Sequence, residues 1–75
     1  MRRLAPLGWR KVCQVLERAG FFLHHQKGSH LVYRHREDVE RYAVVPRHRL
    51  VKVGTLRAIL RQAKLTPEEF LSLRR

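Results

Sequence analysis

Four of the chain's five histidines fall within positions 24–35, in the stretch HHQKGSHLVYRH. Titratable rings beside a glycine turn suggest three kinds of chemistry: a metal site, an activated nucleophile, or proton transfer by a lone imidazole. For a metal, His24 and His25 are adjacent in a segment that reads as a strand. Neighbouring strand side chains point to opposite faces, so one ion is not expected to take both. No H-x-x-x-H spacing lies on a helix, and Cys13 is the only cysteine; no metal site is expected. For a nucleophile, Ser29 follows Gly28 in what reads as turn chemistry, without a G-x-S-x-G elbow. Cys13 sits on the apolar stripe of a helix, where a thiol is inert core. The six carboxylates supply no acidic floor. Glu68 and Glu69 open the last helix, Glu37, Asp38 and Glu40 share one connection, and Glu17 lies on a polar helix face.

A single histidine among many cations remains, and RNA cleavage suits that combination. RNA brings its own nucleophile, the 2′-OH. A protein need only remove that proton and offset charge developing on the phosphate. An imidazole, with an ordinary pKa of about 6.5, is mostly an unprotonated base at neutral pH. His30 opens a strand directly after the Gly28-Ser29 turn, on the face shared with Val32 and Arg34. From spacing alone it is either this base or a solvent-facing strand histidine. Gly28 and Ser29 shape the turn, and Lys27 is either a phosphate contact or a solvated lysine. Arg47, His48, Arg49 and Lys52 form a basic loop that either tracks an RNA backbone or is simply solvated. Tyr33 alternates with Leu31 and reads as core rather than as a base-stacking ring. Trp9 reads as a core anchor, and His24, His25 and His35 as surface.

The elements that must position these residues follow from periodicity. WRKVCQVLERAG (9–20) has Trp9, Val12, Cys13, Leu16 and Ala19 at helical spacing, with Gly20 as its stop. FFLHHQ (21–26) reads as a strand, KGS (27–29) as a turn, and HLVYRH (30–35) as a second strand. REDVE (36–40) is a charged connection, and RYAVVP (41–46) a third strand closed by Pro46. After the basic loop 47–54, TLRAILRQAK (55–64) reads as a helix with Leu56, Ile59, Leu60 and Ala63 on its stripe and Thr55 as N-cap. TPEEFLSL (66–73) carries a capping box, with Thr66 as cap, Pro67 at N1 and Glu69 at N3. Short connections imply an antiparallel meander. The expectation is an α+β two-layer sandwich, α-β-β-β-α with a short C-terminal helix, both long helices on one face of a three-stranded antiparallel sheet.

Seventy-five residues make one domain, 1–75, with 1–7 read as a flexible N-terminal tail. Hydrophobic residues at 44% and charged residues at 31% are ordinary for a folded domain. The balance of 17 Lys and Arg against 6 Asp and Glu gives +11. That excess strains a compact body and fits a polyanionic partner, RNA or DNA first and an acidic protein second. An anionic membrane surface ranks third and weaker, because no long amphipathic segment stands out; no apolar run approaches the ~18–20 residues that span a bilayer, and no membrane partner is expected. The lone cysteine, without a signal-like segment, points to the cytoplasm.

The phrases LERAGFFLHHQKGSHLVYRH, then VVPRH, then VGTLRAILRQAKLTPEEF, appear in order over roughly residues 12–70. This pattern resembles the HicA family of toxins from bacterial toxin–antitoxin pairs. The resemblance implies a fold like that of double-stranded-RNA-binding domains. It implies an mRNA interferase, a metal- and cofactor-independent endoribonuclease that inhibits translation. It also implies a cognate HicB antitoxin, and it puts the catalytic histidine in the motif Gly28-Ser29-His30. Two features depart from the family pattern: REDVERY replaces a shorter turn between strands two and three, and Lys64 stands where a glycine is usual. The competing expectation is a non-catalytic RNA- or DNA-binding module, because this fold also binds without cutting.

Overall fold

The computed structural model describes residues 3–74. Its elements run α1 (Trp9–Arg18), β1 (Phe21–Lys27), β2 (His30–His35), β3 (Tyr42–Pro46), α2 (Val53–Ala63) and α3 (Pro67–Leu73). The sheet is a meander in the order β1-β2-β3, antiparallel throughout. α1 packs on β1 and β3, α2 packs on β3, and α3 lies against both. The result is the expected two-layer α+β arrangement.

Alternation along the strands decides the faces. Leu31, Tyr33, Ala43 and Val45 turn toward the helices and are buried, while His30, Val32, Arg34, Tyr42 and Val44 keep contact with solvent. α1 contributes Val12, Cys13, Val15 and Leu16 to the core. Val15 is an addition to the expected stripe, and Trp9 and Ala19 are only half-buried at its margin. α2 buries Leu56, Ile59, Leu60 and Ala63, as its periodicity predicts. Phe70 closes the cluster from α3. Thr66 Oγ1 accepts from the Glu69 N–H at 3.0 Å, and the Glu69 carboxylate accepts from the Thr66 N–H at 2.8 Å. These backbone and side-chain bonds to Thr66 hold the Glu69 carboxyl below its ordinary pKa.

Three expectations about local structure change. The cap of α2 is Lys52 in extended conformation, not Thr55, and the helix starts at Val53. Val51 explains the shift. It is fully buried and pairs with Leu7 through Leu7 N–H to Val51 O at 3.0 Å and Val51 N–H to Leu7 O at 2.7 Å. That bridge aims the chain into a helix before Thr55 is reached. Leu7 thereby joins the core, and Leu4 packs against it partly buried, from the segment expected to be a flexible tail; Met1 and Arg2 of that segment lie outside the described residues. Next, β1 carries a register shift between Leu23 and His25, so His24 is a bulge residue. The expectation that His24 and His25 point to opposite faces fails there: their Nδ1 atoms share a hydrogen bond of 2.8 Å. Lastly, His35 is not simply surface. Its Nδ1 accepts the backbone N–H groups of Glu37 and Asp38, each at 3.2 Å, which folds the longer 36–41 connection onto the end of β2.

The outer edge of β3 is closed by α2, because Gln62 Oε1 accepts the Val44 N–H at 3.0 Å. The Arg41 Nε donates to the Ala63 carbonyl at 2.8 Å and keeps the incoming loop beside the same helix end. Lys64, the C-cap of α2, takes a left-handed conformation with φ 56°. This is the geometry that makes glycine usual at such a position.

Candidate active site

The β1–β2 hairpin builds the site. Lys27 and His30 face each other across the ladder, and Gly28-Ser29 joins them. Gly28 has φ +59° and Ser29 is not in the left-handed region, the sign pattern of a type II′ hairpin with glycine first. The Gln26 side chain braces this turn by donating to the Gly28 carbonyl at 3.0 Å. A Cβ at Gly28 would meet nothing within 4 Å, so the outer surface of the turn is open to approach.

His30 is exposed at the first position of β2, between Lys27 on β1 and Pro46 on β3. Directly opposed side chains on one sheet face stand about 5 Å apart at Cβ, so the imidazole and the Lys27 ammonium stem leave the sheet together. One backbone bond then ties the basic loop to this hairpin: the Arg47 N–H donates to the Ser29 carbonyl at 2.8 Å. Of the expected residues, Lys27, Gly28, Ser29, His30 and Arg47 are therefore joined at one end of the sheet. His48, Arg49 and Lys52 continue along the exposed loop, Lys52 ending it as the cap of α2.

The other candidates sort by burial. Tyr33 is 3% exposed and its hydroxyl donates to Glu17 Oε2 at 3.3 Å. It belongs to the core and offers no stacking face. Burial pushes the Cys13 thiol above its ordinary pKa, the Tyr33 hydroxyl draws it back, and the Glu17 charge raises it. Burial likewise raises the Tyr33 phenol, helped by its bond to Cys13. Both groups stay protonated at neutral pH, and neither is a nucleophile. Among the described residues, no three His, Cys, Asp or Glu side chains converge as metal ligands.

Sequence reasoning misses Arg10 and the surface role of Trp9. Trp9 at the start of α1 has the Arg10 guanidinium 4.6 Å and the Arg47 guanidinium 5.0 Å from its ring centre. Helical spacing assigns Trp9 to the core stripe, and nothing local signals that Arg47 folds back on it.

An exposed histidine on a glycine turn, with a lysine opposite it and a basic loop beside it, stands on an α-β-β-β-α scaffold that has the fold of double-stranded-RNA-binding domains. Residues 9–65 match the family described as the HicA toxin of bacterial toxin–antitoxin systems, and the chain belongs to that family. It is accordingly a toxin of a toxin–antitoxin pair. A comparison with curated proteins finds no match.

Proposed function

We propose that this toxin is an endoribonuclease that cuts mRNA and so inhibits translation, with His30 as general base. The observation that carries the reading is the exposed His30 imidazole, opposed by Lys27 across the Gly28-Ser29 turn and tied through Ser29 to Arg47. His30 takes the proton of a ribose 2′-OH. The 2′-oxygen attacks the adjacent phosphorus, the bond to the 5′-oxygen breaks, and that oxygen leaves with a proton drawn from solvent. The products are a 2′,3′-cyclic phosphate and a 5′-hydroxyl. Lys27, which leaves the same sheet face as His30, holds the phosphate and offsets charge on its oxygens as they become more negative. General base catalysis supplies roughly 10²–10⁴-fold. That is a modest enzyme, sufficient for a task that needs only to damage messages. The proposed partner that silences it is a HicB-like antitoxin, and the proposed setting is the cytoplasm. No helix among the described residues is long and apolar enough to cross a membrane.

The test is induced expression of wild type and His30→Ala with mapping of RNA ends. The ring is exposed and packs against nothing in the core, so His30→Ala is expected to fold. It should lose growth inhibition and cleavage by at least about 10²-fold. Wild-type fragments should end in 2′,3′-cyclic phosphate, and a substrate with hydrogen in place of the 2′-OH should stay whole. A folded His30→Ala protein that remains fully toxic sinks the assignment. RNA bound in a salt-sensitive way by the wild type but recovered intact would make the chain a non-catalytic binding module.

A further inference from the structure

A cleft of about 320 Å³ lies at the sheet end that carries His30, lined by Gly8, Trp9, Arg10, Arg47 and Arg49. We propose that it is a docking subsite for single-stranded RNA, seating the nucleotide next to the one whose 2′-OH is activated. This rests on the ribonuclease reading and deepens it. Three arginines converge with no acidic residue in the lining. In a chain of net charge +11, such crowding is repulsive unless something holds it. The indole supplies part of the hold, since both Arg10 and Arg47 lie within cation–π range of its ring. The rest of the compensation is missing on the protein side, and phosphate provides it. The planar groups also suit the other half of a nucleotide, because bases stack on indole and on guanidinium faces alike.

Position connects the cleft to the chemistry. Pro46 faces His30, and Arg47 is the next residue, its N–H fixed to Ser29. Alternation puts the Arg47 side chain on the helix side of the sheet, where Trp9 waits, while His30 projects from the open side. A strand of RNA that crosses this end of the sheet meets the imidazole and then the cleft. Gly8 forms the remaining wall beside the loop, where a Cβ would stand in ordinary contact, 3.4 Å from the Arg49 carbonyl.

Trp9 is the only tryptophan, so the cleft carries its own reporter. A short single-stranded 2′-O-methyl RNA, which binds without being cut, is titrated into the full chain while Trp9 emission is followed. Saturable quenching is expected in wild type and in His30→Ala. Arg10→Ala and Arg49→Ala change exposed side chains and keep the reporter. Each should weaken binding about fivefold or more, the lower end of what one stacked base contributes. Trp9→Phe, read by anisotropy of a labelled RNA, should weaken it too. Saturation by RNA with unchanged emission, together with wild-type affinity in both arginine variants, overturns the subsite and leaves the arginines to an acidic protein. Quenching without cleavage of ordinary RNA would refute the ribonuclease reading and uphold the subsite; cleavage with a silent Trp9 would do the reverse.

Discussion

At the scale of single residues, the five histidines divide by what their nitrogens touch. His30 projects from an exposed turn end, His24 and His25 bond one another across a bulge, and His48 lies on the basic loop. His35 is the structural one. Its Nδ1 receives two backbone N–H groups, and its ring packs edge-on against Phe21 with centroids 5.0 Å apart. Replacing it with alanine leaves those donors without their acceptor and removes an aromatic neighbour from a fully buried phenylalanine. A partly buried donor stripped of its partner costs about 1–2 kcal/mol. In a domain of this size that corresponds to a melting midpoint lower by roughly 4–8 °C for each kcal/mol. His35 stands at the far end of β2 from His30, about 17 Å along the strand. RNA cleavage by His35→Ala, assayed well below its midpoint, should therefore match wild type. An unchanged midpoint in calorimetry would show that the 36–41 connection does not need the imidazole.

At the scale of elements, the turns carry the constraint. Gly20, which ends α1, has φ +96°, and a Cβ there would sit 3.0 Å from Nε2 of His35. Gly28 has φ +59° and open space around it. Each Gly→Ala change pays the backbone penalty of about 1–2 kcal/mol for a left-handed residue. Gly20→Ala must also displace the His35 ring. Gly20→Ala should therefore destabilise more than Gly28→Ala in urea titrations, and adding His35→Ala should recover much of the excess. Strictly additive effects of Gly20→Ala and His35→Ala would rule out the clash. The same elements show what a sequence can reveal. The α3 capping box is readable because Thr66, Pro67 and Glu69 act within one turn, and the hairpin is readable because Gly28 names its own turn. The His24 bulge is not, since only pairing with β2 reveals the extra residue. The start of α2 is not, since Val51 is set by Leu7 from the other end of the chain. The candidate site divides likewise. Lys27 to His30 is one local motif, whereas the Trp9 cleft joins the first helix to a loop in the second half of the chain.

At the scale of the whole molecule, charge is the organising quantity. The carboxylates serve local purposes: Glu17 meets Tyr33, Asp38 accepts the Glu40 N–H, Glu69 closes a cap, and Glu40 pairs with Lys64 at 3.1 Å. That pair is exposed on both sides and adds little to stability. Among the described residues, these carboxylates neutralise few basic side chains, in a body only 33 × 26 × 19 Å. The Debye length at physiological salt is about 8 Å, so charges across the molecule hardly sense each other, but those gathered at one end do. Lys27, Arg47, Arg49 and Lys52 belong to the hairpin and loop at the His30 end. If these contact phosphates, binding of single-stranded RNA neutralises four phosphates and releases about three counterions. The plot of log K against log salt then has a slope near −3, at about −0.7 per phosphate. Replacing any one of the four with alanine should flatten the slope by about 0.7, with little change in sequence preference. Lys64→Ala, at the far end of α2, should leave the slope as it is. A wild-type slope near zero, or equal flattening by Lys64→Ala, would mean that RNA does not lie along this end of the sheet and that the charge serves the molecule as a diffuse field.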